Sequence, residues 1–233
     1  MDVRLADCLV FVKRRATCHY ICMNLIQLLF QEPLFFVVIV GALVFTLSLH
    51  EFAHAWVGRL LGDRTAEREG RLTLNPLAHL DPFGFLLILF AGFGYAKPVP
   101  YNPYNLKYPV WGPALIAAAG PSSNFIFGLV FAFFYGITLP LLGHNNLLVA
   151  ALWFLGHINF ALLLFNLIPL PPLDGSKTLL SALAGPQYRQ ARVWLEVQGP
   201  YLLFLLIVVD AFLNIGVFSW ISSVSDWLFR LVS

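Results

Sequence analysis

The sequence predicts an all-α polytopic membrane protein with about four to six transmembrane or re-entrant helices. Of its 233 residues, 59% are hydrophobic and only 11% are charged, whereas soluble domains are usually about 25% charged. The apolar residues also fall into runs of about 20, the length of a helix that crosses a bilayer. A net charge of +2 is too small to indicate nucleic-acid binding.

Residues 1–33 differ from the rest of the chain, and we interpret them as an N-terminal extension. All three cysteines lie here: Cys8, Cys18 and Cys22. Their spacing fits no zinc template and implies no disulfide framework. The stretch is basic, but polar residues interrupt its apolar part and no small-residue cleavage site follows, unlike a signal peptide. Met23 is an alternative start, which would remove part of 1–22 from the cellular protein.

Leu34–Val57 is the first predicted span, and it carries ionisable groups near its end. Such groups are costly inside a membrane and usually functional. His50 and His54 are four residues apart and therefore share one helix face. Two imidazoles on one face can bind one metal ion, and the intervening Glu51 can act as a general base. This H-E-x-x-H pattern is typical of zinc peptidases. The alternative is a paired polar cluster between packed helices.

Three different segments are predicted to follow this span. Residues 58–82 are polar and form a flexible surface loop. Phe83–Ala96 is apolar but only about 14 residues long, which favours a re-entrant or hairpin segment, with a short true span as the alternative. The proline-rich stretch after Tyr95 suits an extended edge, which can pair with another extended peptide.

Val110–Leu139 and Leu147–Ile168 are the second and third predicted spans. The second holds the sequence Gly120-Pro-Ser-Ser-Asn, whose small residues favour close helix packing and whose amide can hydrogen-bond across the interface. His157 lies within the third span, and we interpret it as a packing group rather than a ligand. Three prolines then break the helix just before Asp174.

Gly199–Trp220 is the fourth predicted span, with Asp210 near its middle and no role assigned to that carboxylate. Residues 176–197 before it are polar and predicted to be partly helical at the surface. Residues 221–233 form an amphipathic tail, and Trp227 is suited to a membrane interface.

Positive charge predicts the orientation of the chain. Residues 58–109 and 176–197 carry nine of the 14 Lys and Arg residues, and the turn 139–146 carries none. The positive-inside rule therefore places the first two segments in the cytoplasm. The basic N-terminal stretch then lands outside and disagrees, less so if translation starts at Met23. A full span at Phe83–Ala96 would change the assignment.

A zinc site needs a third protein ligand besides the two histidines. The candidates are Asp174, His79, His157 and Asp81. Topology favours Asp174, because the third span returns to the surface where the first span leaves. His157 would lie nearer the opposite surface. His79 and Asp81 lie in the flexible loop, where Asp81 before a proline is a natural turn residue.

Five motifs occur in order along the chain. They read SLHEFAHAW, NPLAHLDPFG, GYAKPVPYNP, AGPSSN and NLIPLPPLDG. From about Gly41 to Ser176 the chain therefore resembles the site-2 protease family of intramembrane zinc metalloproteases. It most resembles the compact bacterial and archaeal members, because no stretch could hold a PDZ or CBS domain.

The resemblance implies a three-helix catalytic core that binds one zinc ion per chain. It implies that His50, His54 and Asp174 ligate the zinc and that Glu51 is the catalytic base and acid. Two asparagines are implied to lie near the site, where their amides could hold a substrate carbonyl or the oxyanion: Asn124 and Asn166.

The resemblance also implies a substrate, a membrane and an edge that binds the substrate. The substrate would be a transmembrane or membrane-associated protein, cleaved near the cytoplasmic face of a bacterial or archaeal cytoplasmic membrane. Residues 34–220 would form a single intramembrane metalloprotease domain. The substrate would pair as an added strand with a short edge: Lys97, Pro98, Val99, Pro100 and Tyr101. Tyr95 departs from the tryptophan of many relatives, which concerns substrate fit rather than chemistry.

Two other functions remain open at this point. A transporter could use the same buried histidines and acids as an ion or proton path, although no internal repeat is visible and the spans are few. A catalytically inactive, substrate-binding relative is the other alternative, and the intact Glu51 argues against it. The oligomeric state does not follow from the sequence.

Overall fold

The computed structural model describes residues 29–91, 94–213 and 215–233 of the chain. Four of its helices are long and apolar enough to cross a membrane. This confirms the predicted all-α polytopic membrane protein. The three cysteines and most of the predicted N-terminal extension lie outside the described residues.

The first three predicted spans are confirmed as long helices, here α1, α4 and α5. Helix α7 is a fourth long helix, and shorter helices connect and flank these four. In chain order the α-helices of the described residues are α1 Pro33–Leu60, α2 Thr65–Arg68, α3 Pro82–Ala91, α4 Gly112–Leu142, α5 Leu147–Asn166, α6 Gly175–Ala182, α7 Arg189–Leu213 and α8 Ser219–Arg230. Single 3-10 turns occur at Pro76–Ala78, Pro103–Asn105 and Pro186–Tyr188.

Helices α1, α4 and α5 pack against one another and form the centre of the fold. A polar contact links two of them: Asn159 of α5 donates a hydrogen bond from Nδ2 to Thr46 Oγ1 of α1, 3.1 Å away. Both side chains are fully buried. Because apolar side chains set little axial register between membrane helices, this bond helps to fix the height of α1 against α5. His50 lies one helical turn further along α1.

The segment around α3 is a hairpin, as one of the two predicted alternatives stated. Leu80 and Ala96 form an antiparallel bridge, and the amide of Lys97 donates to the carbonyl of His79 over 2.8 Å. The two ends of the segment therefore meet at the same level. α3 itself has ten residues, or about 15 Å, too short to cross a bilayer.

The loop between α1 and α3 is more ordered than its polar composition predicts. It was expected to be flexible, but Asp63, Arg71 and His79 are buried within the described structure. Nε2 of His79 lies 2.7 Å from the carbonyl oxygen of Thr73 and donates its proton there. The loop therefore has a defined structure with buried polar side chains, rather than the flexible one that was predicted.

The fourth span lies earlier in the chain than predicted. The predicted Gly199–Trp220 is replaced by α7, which begins at Arg189 and ends at Leu213. Asp210 is thus near the end of the helix, where its Oδ1 accepts a hydrogen bond from the amide of Val217 over 2.7 Å. Hydropathy misplaced the span because helix α7 begins in a polar, amphipathic stretch and stops where Asp210 binds the turn.

The predicted tail 221–233 is mostly helix α8, which packs against α5 and α4. Phe229 of α8 is buried in a cluster with Phe160 and Ala132. Beside this cluster, Nε2 of His157 lies 2.9 Å from Asp226 Oδ1. The imidazole of His157 stacks between the rings of Trp153 and Phe229, with centroids 4.0 and 4.1 Å away. His157 is therefore a packing group, as predicted, and it ties α8 to α5.

We expect this ion pair to stabilise the docking of α8. His157→Gln or Asp226→Asn should each lower the free energy of unfolding by about 1 kcal/mol, because each leaves the partner unpaired in an apolar setting. The double variant should lose little more than either single variant. Unfolding of the purified protein in detergent measures this, with Ser223→Ala on the exposed face of α8 as control. Strictly additive losses would contradict the coupling.

Candidate active site

Helix α1 brings three ionisable side chains together on its buried face. His50, Glu51 and His54 are 6%, 8% and 7% exposed. One ligand atom from each of them lies within 4.8 Å of the others. The two Nε2 atoms of the histidines are 3.0 Å apart, and the rings meet nearly at right angles. The four-residue spacing thus aims both imidazoles at one point.

Asp174 reaches the same point from a distant part of the chain. α5 ends at Asn166, and the proline-rich segment that follows places Asp174 directly before α6. Asp174 Oδ2 lies 3.1 Å from Nε2 of His50 and 3.3 Å from Nε2 of His54. One carboxylate oxygen of Asp174 therefore converges with both imidazoles on a single point.

The contacts of His54 indicate what this cluster is built to hold. Nδ1 of His54 lies 2.7 Å from the carbonyl oxygen of Ile116, which can only accept, so Nδ1 carries the proton and Nε2 presents a lone pair. Asp174 Oδ2 is buried and has no hydrogen-bond partner within the described residues. Electron-rich atoms that converge in this way repel one another unless a cation lies among them.

The spacing of these atoms fits zinc. Zinc binds imidazole nitrogen and carboxylate oxygen at about 2.0–2.2 Å in a tetrahedron, which separates neighbouring ligand atoms by roughly 3.3 Å. The three distances between Nε2 of His50, Nε2 of His54 and Oδ2 of Asp174 are 3.0, 3.1 and 3.3 Å. Three protein ligands leave one position open, as in catalytic rather than structural zinc sites.

Asn124 of α4 supports His50 from behind. Its Nδ2 lies 3.1 Å from Nδ1 of His50, and its Oδ1 is buried without a hydrogen-bond partner among the described residues. The two ends of an amide have the same shape, so turning it over places Oδ1 against Nδ1. In that orientation Oδ1 accepts the proton of Nδ1, and Nε2 of His50 presents its lone pair to the metal position.

Gly120 allows α4 to lie directly against the two histidines. A Cβ atom at this position would come within 2.5 Å of both imidazole rings, closer than non-bonded atoms approach. Sequence analysis singled out the small residues around Gly120 for helix packing but missed this contact. It also missed the Ile116 carbonyl, because a main-chain oxygen has no signal in the identity of its residue.

The other sequence-predicted candidates lie elsewhere. Asp81 Oδ1 accepts a hydrogen bond from the amide of Gly84 over 2.8 Å and so caps α3. His79 and His157 bind the partners described above. Asn166 donates from Nδ2 to the carbonyl of Leu162 in its own helix over 3.0 Å. The two asparagines predicted to lie near the site therefore differ: Asn124 contacts His50, whereas Asn166 binds only within its own helix.

The predicted substrate edge is an extended segment next to the hairpin. Lys97 and Pro98 are exposed, and Val99, Pro100 and Tyr101 are half-buried. Burial, together with the nearby Glu196 carboxylate, raises the pKa of the Tyr101 phenol above its usual value. The edge thus faces the polar first half of α7 as well as water.

Comparison with known proteins matches most of the chain to one family of peptidases. The model of peptidase family M50 matches residues 35–141 and 143–207. YwhC of Bacillus subtilis (strain 168), which its name assigns to the zinc metalloproteases, is 36% identical over 84% of this chain and 90% of its own length. Rip2 of Mycobacterium tuberculosis (strain H37Rv), named likewise, is 30% identical over 88% of this chain and 78% of its own. No solved structure shows a significant match to the chain.

We expect the purified chain to bind about one zinc ion. Elemental analysis of the protein in detergent measures this. The double variant His50→Ala with His54→Ala should lose the zinc, and so should Asp174→Ala, because one or two remaining protein ligands hold the ion too weakly. His144→Ala, in the exposed turn between α4 and α5, is the control and should keep it. Zinc retained without Asp174 would mean that another group is the third ligand.

The two asparagines should differ in their effect on zinc. Asn124→Ala removes the group that orients His50 and should weaken zinc binding by about 10- to 100-fold. Asn166→Ala should leave it unchanged, because that amide binds only within its own helix. Competition with a chelator of known affinity measures both. Equal effects of the two changes would refute the assignment of Asn124 to His50.

Proposed function

This chain belongs to peptidase family M50, and we propose that it hydrolyses a peptide bond in or near a transmembrane segment of a protein substrate, close to the cytoplasmic face. It is a zinc metalloendopeptidase with several membrane-crossing helices. The single observation that carries the proposal is the convergence of His50, His54 and Asp174 inside the bundle that those helices form.

The depth of the site supports cleavage near one face. His50 lies about ten residues, or roughly 15 Å, before the C-terminal end of α1. That end joins the loop between α1 and α3, and Asp174 is followed by Lys177 on the same side. Residues 58–109 and 176–197, which include these segments, carry nine of the 14 Lys and Arg residues. The positive-inside rule therefore assigns this end of the bundle to the cytoplasm.

We assign the chemistry to four side chains. His50, His54 and Asp174 would hold the zinc, which when bound would make a water molecule more acidic and polarise the scissile carbonyl. Glu51 accepts a proton from the attacking water and later gives it to the leaving amine. Its carboxylate is buried beside the two histidines, where a proton-transfer group needs to be.

Two asparagines have different roles in this proposal. Asn124 lies against His50, and we assign it to orienting that imidazole. Asn166 lies at the end of α5, eight residues before Asp174, and its role at the substrate oxyanion stays a prediction. A transmembrane helix seals its carbonyls in its own hydrogen bonds, so the substrate must unwind before it reacts. The extended segment 97–101 offers an edge on which an unwound strand can lie.

Membership of a peptidase family favours hydrolysis over the transport function that the sequence alone left open. Glu51 stands between the two histidines and is buried with them, which favours an active enzyme over an inactive relative. The relatives named above come from bacteria. We therefore place the protein in a prokaryotic cytoplasmic membrane.

We expect Glu51→Gln to keep the zinc and lose cleavage by about a thousand-fold, because it removes the proton acceptor but no ligand. The probe is a reporter with one transmembrane helix, interrupted by a Gly-Pro pair and reconstituted with the full chain in vesicles. Mass spectrometry should place the cut in or next to the helix, near its cytoplasmic end. Glu69→Gln, exposed in the loop, is the control. Undiminished cleavage by Glu51→Gln, or a cut far from the helix, would overturn the proposal.

A further inference from the structure

Two buried charges of opposite sign lie in the loop between α1 and α3. Asp63 is 3% exposed and Arg71 is 5% exposed. In the part of the chain that the structure describes, neither forms an ion pair. Burying a charge without an opposite charge is costly, so we asked what each of them binds. Both bind the same short segment, at its two ends.

Arg71 holds the first end of this segment. Its guanidinium donates a hydrogen bond to the carbonyl of Lys97. The amide of the same residue donates to the carbonyl of His79, 2.8 Å away. Lys97 is therefore fixed through both of its main-chain groups, directly after the bridge between Leu80 and Ala96.

Asp63 holds the other end. Its Oδ2 accepts a hydrogen bond from the amide of Asn102 over 2.7 Å. Its Oδ1 accepts from Nδ2 of Asn105 over 3.0 Å and from the hydroxyl of Thr65 over 2.6 Å. Burial alone raises the pKa of Asp63, but these hydrogen bonds lower it below the usual value. The carboxylate is thus charged at neutral pH and fully engaged.

Between these two anchors the main chain makes no hydrogen bond of its own within the described residues. Residues 98–101 neither donate to nor accept from another main-chain group or side chain there. Proline has no N–H, so Pro98 and Pro100 leave Val99 and Tyr101 as the donors of this stretch. The segment is therefore held extended at both ends, with its polar groups available to a partner.

We propose that Arg71 and Asp63 are positioning residues that clamp segment 97–102 in the extended form to which the substrate strand pairs. The inference rests on the proposed function, because it takes segment 97–101 as the substrate edge. Neither residue touches the substrate. Arg71 acts through the Lys97 carbonyl and Asp63 through the Asn102 amide. The cost of burying both charges is offset because a pre-extended strand binds a peptide without first losing conformational freedom.

Three properties of the full chain in detergent test the clamp. The variants are Arg71→Gln, Asp63→Asn and their combination, with Arg71→Lys as the conservative change. Arg68→Gln and Glu69→Gln are matched controls, because both side chains are exposed in the same loop. The first measurement is zinc content. The second is hydrogen exchange at the amides of residues 97 and 102. The third is kcat and KM for labelled casein, an unfolded chain that needs no unwinding.

We expect zinc content to stay at the wild-type level in every variant, because no ligand is changed. Exchange at the Lys97 amide should rise about ten-fold in Arg71→Gln, and exchange at the Asn102 amide by a similar factor in Asp63→Asn. KM for casein should rise about ten-fold in each, with kcat nearly unchanged. Arg71→Lys should recover part of the loss. The combined variant should raise KM by less than the product of the two single effects, because one free end already releases the segment.

Different results would separate the clamp from the proposed function. Wild-type exchange at both amides in the variants would overturn the clamp, and so would equal effects from the exposed controls. A fall in kcat with unchanged KM would also overturn it. If wild-type protein loaded with zinc failed to cleave casein, the proposed function would be in question. Exchange at Lys97 and Asn102 would still decide whether the two charges hold the segment.

Discussion

The central constraint on this structure is the close approach of three electron-rich atoms, two imidazole nitrogens and one carboxylate oxygen, inside a bundle of membrane helices. This approach is unfavourable unless a cation is bound among the three atoms. Two of those atoms come from adjacent turns of α1, and the third comes from Asp174, far along the chain. Three features of the core serve this convergence. Asn159 sets the height of α5 against α1, Gly120 lets α4 lie on the imidazoles, and the prolines after α5 end the helix where Asp174 is needed.

The contacts around the three proposed ligands explain why α4 is central although it supplies none of them. Its Ile116 carbonyl fixes the proton of His54, and its Asn124 amide lies on His50. A metal-binding imidazole has to present one nitrogen as a lone pair, which requires a fixed partner for the other nitrogen. Helix α4 provides both partners from one face, two turns apart.

Much of the fold and of the site could be predicted from the sequence because both rest on strong local signals. Long apolar runs gave α1, α4 and α5, and the four-residue spacing of His50 and His54 placed them on one face. The fourth span was misplaced because hydropathy does not register a helix that begins with polar residues, or a carboxylate such as Asp210 that closes its end. The burial of His79 was missed because its partner is a main-chain carbonyl. Main-chain groups carry no sequence signal, and neither does the choice between Asn124 and Asn166.

The position of Asp174 has a consequence for how the protein is made. A ribosome delivers α1, with Glu51 and both histidines, long before it delivers Asp174, the third ligand that we propose. Until then the nascent chain in the membrane has only two of the three proposed zinc ligands. The chain can therefore hydrolyse a peptide bond only when the helix bundle is complete, and not when the first helix alone has been made. For the proposed cleavage of membrane segments, this order keeps the protein inactive while its own later segments are the nearest substrates.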